Sequence, residues 1–108
     1  MNTYSTAVSL VAGTNVYEVG GVWNSGSQYS GQITFVLGDR SANTEAATIH
    51  VEFLNVDAVI NIDISYVTNT VVVTVPFAFK CFSQPKFSVY ATGVVGSPTF
   101  SVIMTRNS

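Results

Sequence analysis

The chain has 108 residues and a formal net charge of -2, enough for one domain and too short for two independent cores. Apolar residues make up 47%, but charged residues only 9%, against roughly 25% in an ordinary soluble domain; Ser (12), Thr (12), Asn (8) and Gln (3) fill the gap, and valine alone supplies 18. This balance excludes a disordered tail, a coiled coil, a disulfide scaffold and a basic nucleic-acid module, since Arg40, Lys80, Lys86 and Arg106 are scattered and a phosphate backbone calls for a basic stripe.

No apolar run approaches the ~20 residues of a membrane-spanning helix. The opening, Met1 to Gly13, has no basic residue before its apolar part, so it does not read as a signal peptide. The single Cys81 can form no internal disulfide, which points to folding in a reducing cytoplasm.

Apolar and polar residues alternate with period two, the mark of half-buried strands, and eight strands are predicted. The first runs Ser5 to Val11 with Val8 and Leu10 on one face, and residues 12–15 form a turn. The second runs Val16 to Trp23 with Tyr17, Val19 and Trp23 on one face; Gly20 and Gly21 inside it suggest a bulge or a close backbone approach. After a loop at 24–31 the third strand, Gln32 to Leu37, buries Ile33, Phe35 and Leu37. The connection at 38–46 holds three of the ten charges and is long enough to cross between sheets.

The fourth strand, Ala47 to Leu54, sets Ile49, Val51 and Phe53 against Thr48, His50 and Glu52. The fifth, Ala58 to Val67, sets Ile60, Ile62, Ile64 and Tyr66 against Asn61, Asp63 and Ser65, and a short turn follows at 68–70. The sixth, Val71 to Phe79, is apolar on both faces in its first half, which predicts cover on both sides, by a second sheet or by another chain. Pro76 has no N–H for a ladder, so this strand is expected at an edge or with a bulge. Residues 80–85 read as a loop. The seventh and eighth strands are Lys86 to Thr92 and Thr99 to Thr105.

The expected fold is therefore all-β: a single domain over 1–108, an antiparallel two-sheet β-sandwich of about eight strands, with jelly-roll and immunoglobulin-like Greek-key topologies both open. The outward positions carry Thr34, Thr48, Thr74, Ser88, Thr92, Ser101 and Thr105, together with Val36, Leu54, Val59, Val72, Tyr90 and Ile103. Free monomers place Lys and Glu at such positions to stop sheets from pairing. Interfaces are depleted in Lys, Glu and Asp, so much of this exterior is expected to be covered by other protein.

Candidate chemistry is sparse. Cys81 and His50 could serve as nucleophile and base, but no third orienting group is evident, and a small half-buried side chain is the plainer account of Cys81. Asp39, Glu45, Glu52, Asp57 and Asp63 fall within 25 residues without the spacing of a calcium loop, so no metal or other cofactor is expected. The plainer account of Trp23 and Tyr29 is that the first caps the core and the second decorates a loop; beside Asn24 and Gln28 they would also suit a sugar platform or an interface anchor, which gives a second reading: a carbohydrate-binding or adhesin-type module with a glycan partner. The residues expected to meet partners are Met1, Asn2, Thr3 and Tyr4 in an N-terminal arm, Trp23 and Tyr29, Asp39 and Arg40 in the polar loop, and outward Tyr90 and Ile103.

The opening from Tyr4 to Val19, with its strand followed by an "AGTN" turn, and the Ser/Thr/Val/Asn-rich, charge-poor texture of the whole chain resemble small β-sandwich structural proteins of tailed-phage virions, such as capsid decoration (cement) proteins and tail accessory modules. The resemblance implies a non-enzymatic homo-oligomer, dimer or trimer, seated on a larger coat protein and assembled in a host cytoplasm, with no nucleic-acid or membrane partner. It transfers no functional residue.

Overall fold

The computed structural model describes residues 2–38, 47–66, 71–94 and 98–107, with the backbone alone at 47 and 66. The described residues form seven antiparallel strands: β1 (Asn2–Ser9), β2 (Gly13–Glu18), β3 (Gln28–Leu37), β4 (Ala47–Val56), β5 (Asn61–Tyr66), β6 (Val71–Thr92) and β7 (Thr99–Arg106). They make one interlinked sheet in the order β1-β7-β3-β6-β4-β5, with β2 also paired to β6. The molecule measures 43 × 24 × 18 Å.

The alternation read from the sequence sets the inward faces. Ile33, Phe35 and Leu37 of β3, Ile49, Val51 and Phe53 of β4, and Phe100, Val102 and Met104 of β7 are all buried. Phe35 and Phe100 stack at 6.1 Å, while Phe53 meets Phe35 at 6.5 Å and Phe87 at 6.1 Å, and Phe87 meets Phe100 at 6.5 Å. This aromatic ring of contacts ties the β1-β7-β3 side to the β6-β4 side through the core, where each such pair adds about 0.5–1.5 kcal/mol beyond area burial. β3 and β4 belong to different sides of β6, in keeping with the long connection between them.

Three strand expectations are corrected. The strands expected at Val71 to Phe79 and Lys86 to Thr92 are one 22-residue strand, β6, so the count is seven. Residues 80–85 do not turn back because the 19–27 segment and Asn55 hold them extended. Cys81 donates to Ser27 and accepts from Gly26, Phe82 O accepts from Ser25 Oγ at 2.7 Å, Gln84 O accepts from Asn55 Nδ2 at 3.0 Å, and Pro85 O accepts from the Val19 N–H at 3.0 Å. Here β6 exchanges partners: Lys80 is the last residue paired with β3, and from Lys86 onward β6 lies between β4 and β2. Asn55, at φ 66, takes up the accompanying register shift in β4. β2 ends at Glu18 rather than at Trp23 and begins at Gly13, inside the expected turn.

Among the described residues no second sheet covers the outer face of β6 at 71–79, where Val72 is 60% exposed. Pro76 does lie at an edge. The Cys81 backbone bonds toward the β3 side, whereas Lys80, one residue earlier, points the other way and bonds to Asp57 through both its N–H and its C=O. Alternation then aims the backbone of 78, 76, 74 and 72 away from β3, so the missing N–H of Pro76 costs the ladder nothing.

Gly20 and Gly21 are the site of a close approach, beyond the end of β2. Gly21, at φ +92, lies against the Tyr4 ring where a Cβ would collide. Gly31 is required for another reason: a methyl group there would overlap the Thr105 carbonyl of β7. Gly31→Ala is expected to destabilise the fold by about 1–3 kcal/mol through overpacking, measured by urea denaturation. An unchanged midpoint would show that the β3–β7 approach is looser than described.

Candidate binding surfaces

Two features stand out from an otherwise ordinary core. The first is built around Arg106, the last residue of β7, which is only 8% exposed. Its guanidinium carbon sits 4.8 Å from the Tyr4 ring centre and 4.7 Å from those of Trp23 and Tyr29. Its Nη1 donates to Val22 O at 2.6 Å. The rings are fixed in turn. Trp23 Nε1 donates to Gly20 O at 2.7 Å, Tyr29 Oη accepts from the Asn24 N–H at 2.9 Å, and Trp23 meets Tyr29 edge-on at 4.9 Å. A desolvated cation among aromatic faces gains about 2 kcal/mol or more. The aromatic box is therefore filled by the protein's own arginine and closes one end of the core.

The second feature is the outer face formed by β1, β7, β3 and β6 as far as Ala78. Its cross-strand rows read Thr3–Thr105–Gln32–Pro76, Ser5–Ile103–Thr34–Thr74 and Ala7–Ser101–Val36–Val72. None of these side chains is ionisable. Hydroxyls bridge neighbouring strands, Thr34 to Thr74 at 3.1 Å and Thr3 to Thr105 at 3.4 Å. A recess of ≈ 350 Å³ lined by Gly31, Gln32, Thr34, Thr105 and Asn107 opens here and likewise holds no titratable group. The outer face of β5, β4, β6 and β2 differs. It carries Asp63, His50, Glu52, Lys86 and Glu18, and His50 Nδ1 lies 2.7 Å from Asp63 Oδ1.

The residues expected to meet partners divide between these places. Asn2, Thr3 and Tyr4 are not a free arm but the start of β1, paired with Arg106, Thr105 and Met104. Trp23 and Tyr29 are 5% and 7% exposed; they line the arginine box instead of offering a ring face, so the sugar platform imagined on them is not formed. Tyr90 is 49% exposed, on the charged outer face opposite His50. Ile103 is half-buried on the uncharged face. Met1, Asp39 and Arg40 lie outside the described residues.

His50 and Cys81 are not brought together: His50 is on an outer face while Cys81 is fully buried. Among the described residues no three His, Cys, Asp or Glu side chains gather where a metal could be held. Of the acidic set, Asp63 pairs with His50 and Asp57 caps the Lys80 N–H at 2.7 Å; Asp39 and Glu45 lie outside the described residues. The arginine box was missed in the sequence because its members come from four separate places in the chain; one buried cation among many aromatics leaves no local spacing to read.

Replacing Arg106 by Ala removes both the ring contacts and a charge-assisted hydrogen bond, and should cost about 3 kcal/mol in denaturation followed by Trp23 emission, with a red shift as the indole meets water. An unchanged stability would mean the box closes without its cation. Burial pushes the Cys81 thiol above its ordinary value of 9.0, against a lowering pull from Arg106 and with a further push from Asp57. The unfolded chain therefore loses this proton first, so stability is unaffected well below pH 9.0 and falls as pH rises past it. Cys81→Ala should show a shallower alkaline decline than the unmodified protein; parallel declines would contradict the burial effect. No protein-family model and no curated protein matches the chain.

Proposed function

We propose that the chain is a non-enzymatic structural protein of an assembled particle, of the virion type: a capsid decoration or cement protein that ties coat subunits together across their boundaries. On this reading the interlinked sheet is folded as a two-sheet sandwich, with β6 the strand common to both layers. The partners are further copies of the chain, as a dimer or trimer, and a larger coat protein, met in the host cytoplasm where the particle is built. No cofactor and no nucleic acid or membrane contact is part of this reading.

The observation that carries it is the uncharged outer face of β1, β7, β3 and the first half of β6. Desolvating a lysine or glutamate costs several kcal/mol unless it is paired. Desolvating a hydroxyl that already bonds its neighbour, as Thr34 and Thr74 do, costs far less. Such a face enters an interface cheaply, and the opposite face keeps the charges that hold the particle's exterior in water. Each contact is weak alone; repetition over a lattice raises retention by effective concentration. The carbohydrate-binding alternative loses its support once Trp23 and Tyr29 are found buried.

A charge placed on the uncharged face should therefore weaken self-association, while the same charge on the other face should not. Ser101 lies between Ala7 and Val36, and Thr48 between Ser65 and Thr92. Light scattering at about 1 mM is expected to show the same oligomer for the unmodified chain and for Thr48→Lys, and a smaller mass for Ser101→Lys. A monomer throughout, or equal loss from both variants, would overturn the proposal.

A further inference from the structure

Resting on the assembly reading above, we infer that the free edge of β6 over 72–78 is a self-pairing strand, onto which a second copy of the same segment adds in antiparallel fashion. The backbone argument is direct. Lys80 turns its N–H and C=O toward Asp57, on the side away from β3, and alternation places the groups of 78, 76, 74 and 72 on that same side. Among the described residues no strand lies there. The edge thus presents the N–H groups of Val72, Thr74 and Ala78, and the carbonyls of all four, in strand geometry. Unpaired edges of this kind recruit extended backbone.

Charge and cover select this edge over the other three. β5 carries Asp63 and β2 carries Glu18, so self-pairing there would set like charges close together. β1 is uncharged, but Gly20 stands beside its Ser5 carbonyl and donates to Thr6 Oγ1 at 3.3 Å, crowding that edge. Residues 71–79 hold no ionisable side chain, and Val72 is 60% exposed.

Antiparallel addition of identical strands is closed by a two-fold axis, which gives a dimer rather than a fibre. Proline restricts the register. Setting Val72 against the partner's Thr74, and the reverse, uses every N–H and C=O of both residues. Any register that brings the partner's Pro76 opposite either one leaves a carbonyl without a donor. The uncharged outer face then runs on without a break from one copy into the next.

The test is amide hydrogen exchange read residue by residue on the intact chain. At about 10 μM the Val72, Thr74 and Ala78 amides should exchange as exposed groups, and at about 1 mM the Val72 and Thr74 amides should slow by about tenfold, in step with a dimer mass in light scattering. Val72→Lys and Thr74→Lys, both at outward positions, should restore fast exchange and a monomeric mass while core amides keep their protection. Fast exchange at both concentrations overturns the inference, as does slow exchange independent of concentration, which would mean that the chain covers its own edge. An oligomer whose Val72 and Thr74 amides still exchange fast overturns the edge but leaves the assembly reading standing; a monomer under all conditions overturns both.

Discussion

Everything in this fold depends on β6 remaining one strand. Its first half completes the side built on β3 and β7, and its second half carries β4 and β2. The exchange occurs at 82–85, where β4 supplies no ladder partner and the 19–27 segment supplies hydrogen bonds instead, from Ser25 Oγ to Phe82 O and from the Val19 N–H to Pro85 O. Gln84 adds a side-chain bond to Val19 O at 2.6 Å. If these bonds were lost, residues with little strand propensity would be free to bend, and both sides of the sheet would lose a common member.

The same segment also supplies Trp23 to the arginine box. One short stretch therefore performs two tasks: it keeps β6 straight, and it delivers an indole over the guanidinium of Arg106. The box joins the end of β7 to the start of β1 and to β3 through Tyr4 and Tyr29. Burying a cation is expensive unless hydrogen bonds and favourable electrostatics replace its water, and three rings with the Val22 carbonyl provide that replacement. The chain spends one of its four basic residues in the interior, which leaves its exterior still poorer in charge.

Much of this was legible in the sequence where burial is two-sided in its effect. Along β3, β4 and β5 period two sets one face inward: Ile33, Phe35, Leu37, Ile49, Val51, Phe53 and Ile64 are buried, while Ile60 and Ile62, assigned to the same face, are half-buried. Pro76 could be placed at an edge because its chemistry permits little else. The long β6 was hidden because Ser83, Gln84 and Pro85 have loop composition, and the partners that straighten them lie some sixty residues earlier in the chain. Trp23 is buried, in keeping with the reading that it caps the core, whereas Tyr29 was placed on an exposed loop for the complementary reason: a loop rich in Gly, Ser and Asn reads as solvated unless one knows that a distant arginine draws its ring inside.

The central claim is that the uncharged face is built to be covered, and hydroxyl-radical labelling tests it most directly. Ile103 and Val36 lie on that face, whereas Val59, 87% exposed in the β4–β5 connection, and Val16, 52% exposed on β2, lie off it. As protein concentration rises, oxidation of Ile103 and Val36 should fall while that of Val59 and Val16 holds steady. Oxidation of all four residues at constant relative rates, from dilute to concentrated solution, would contradict the account.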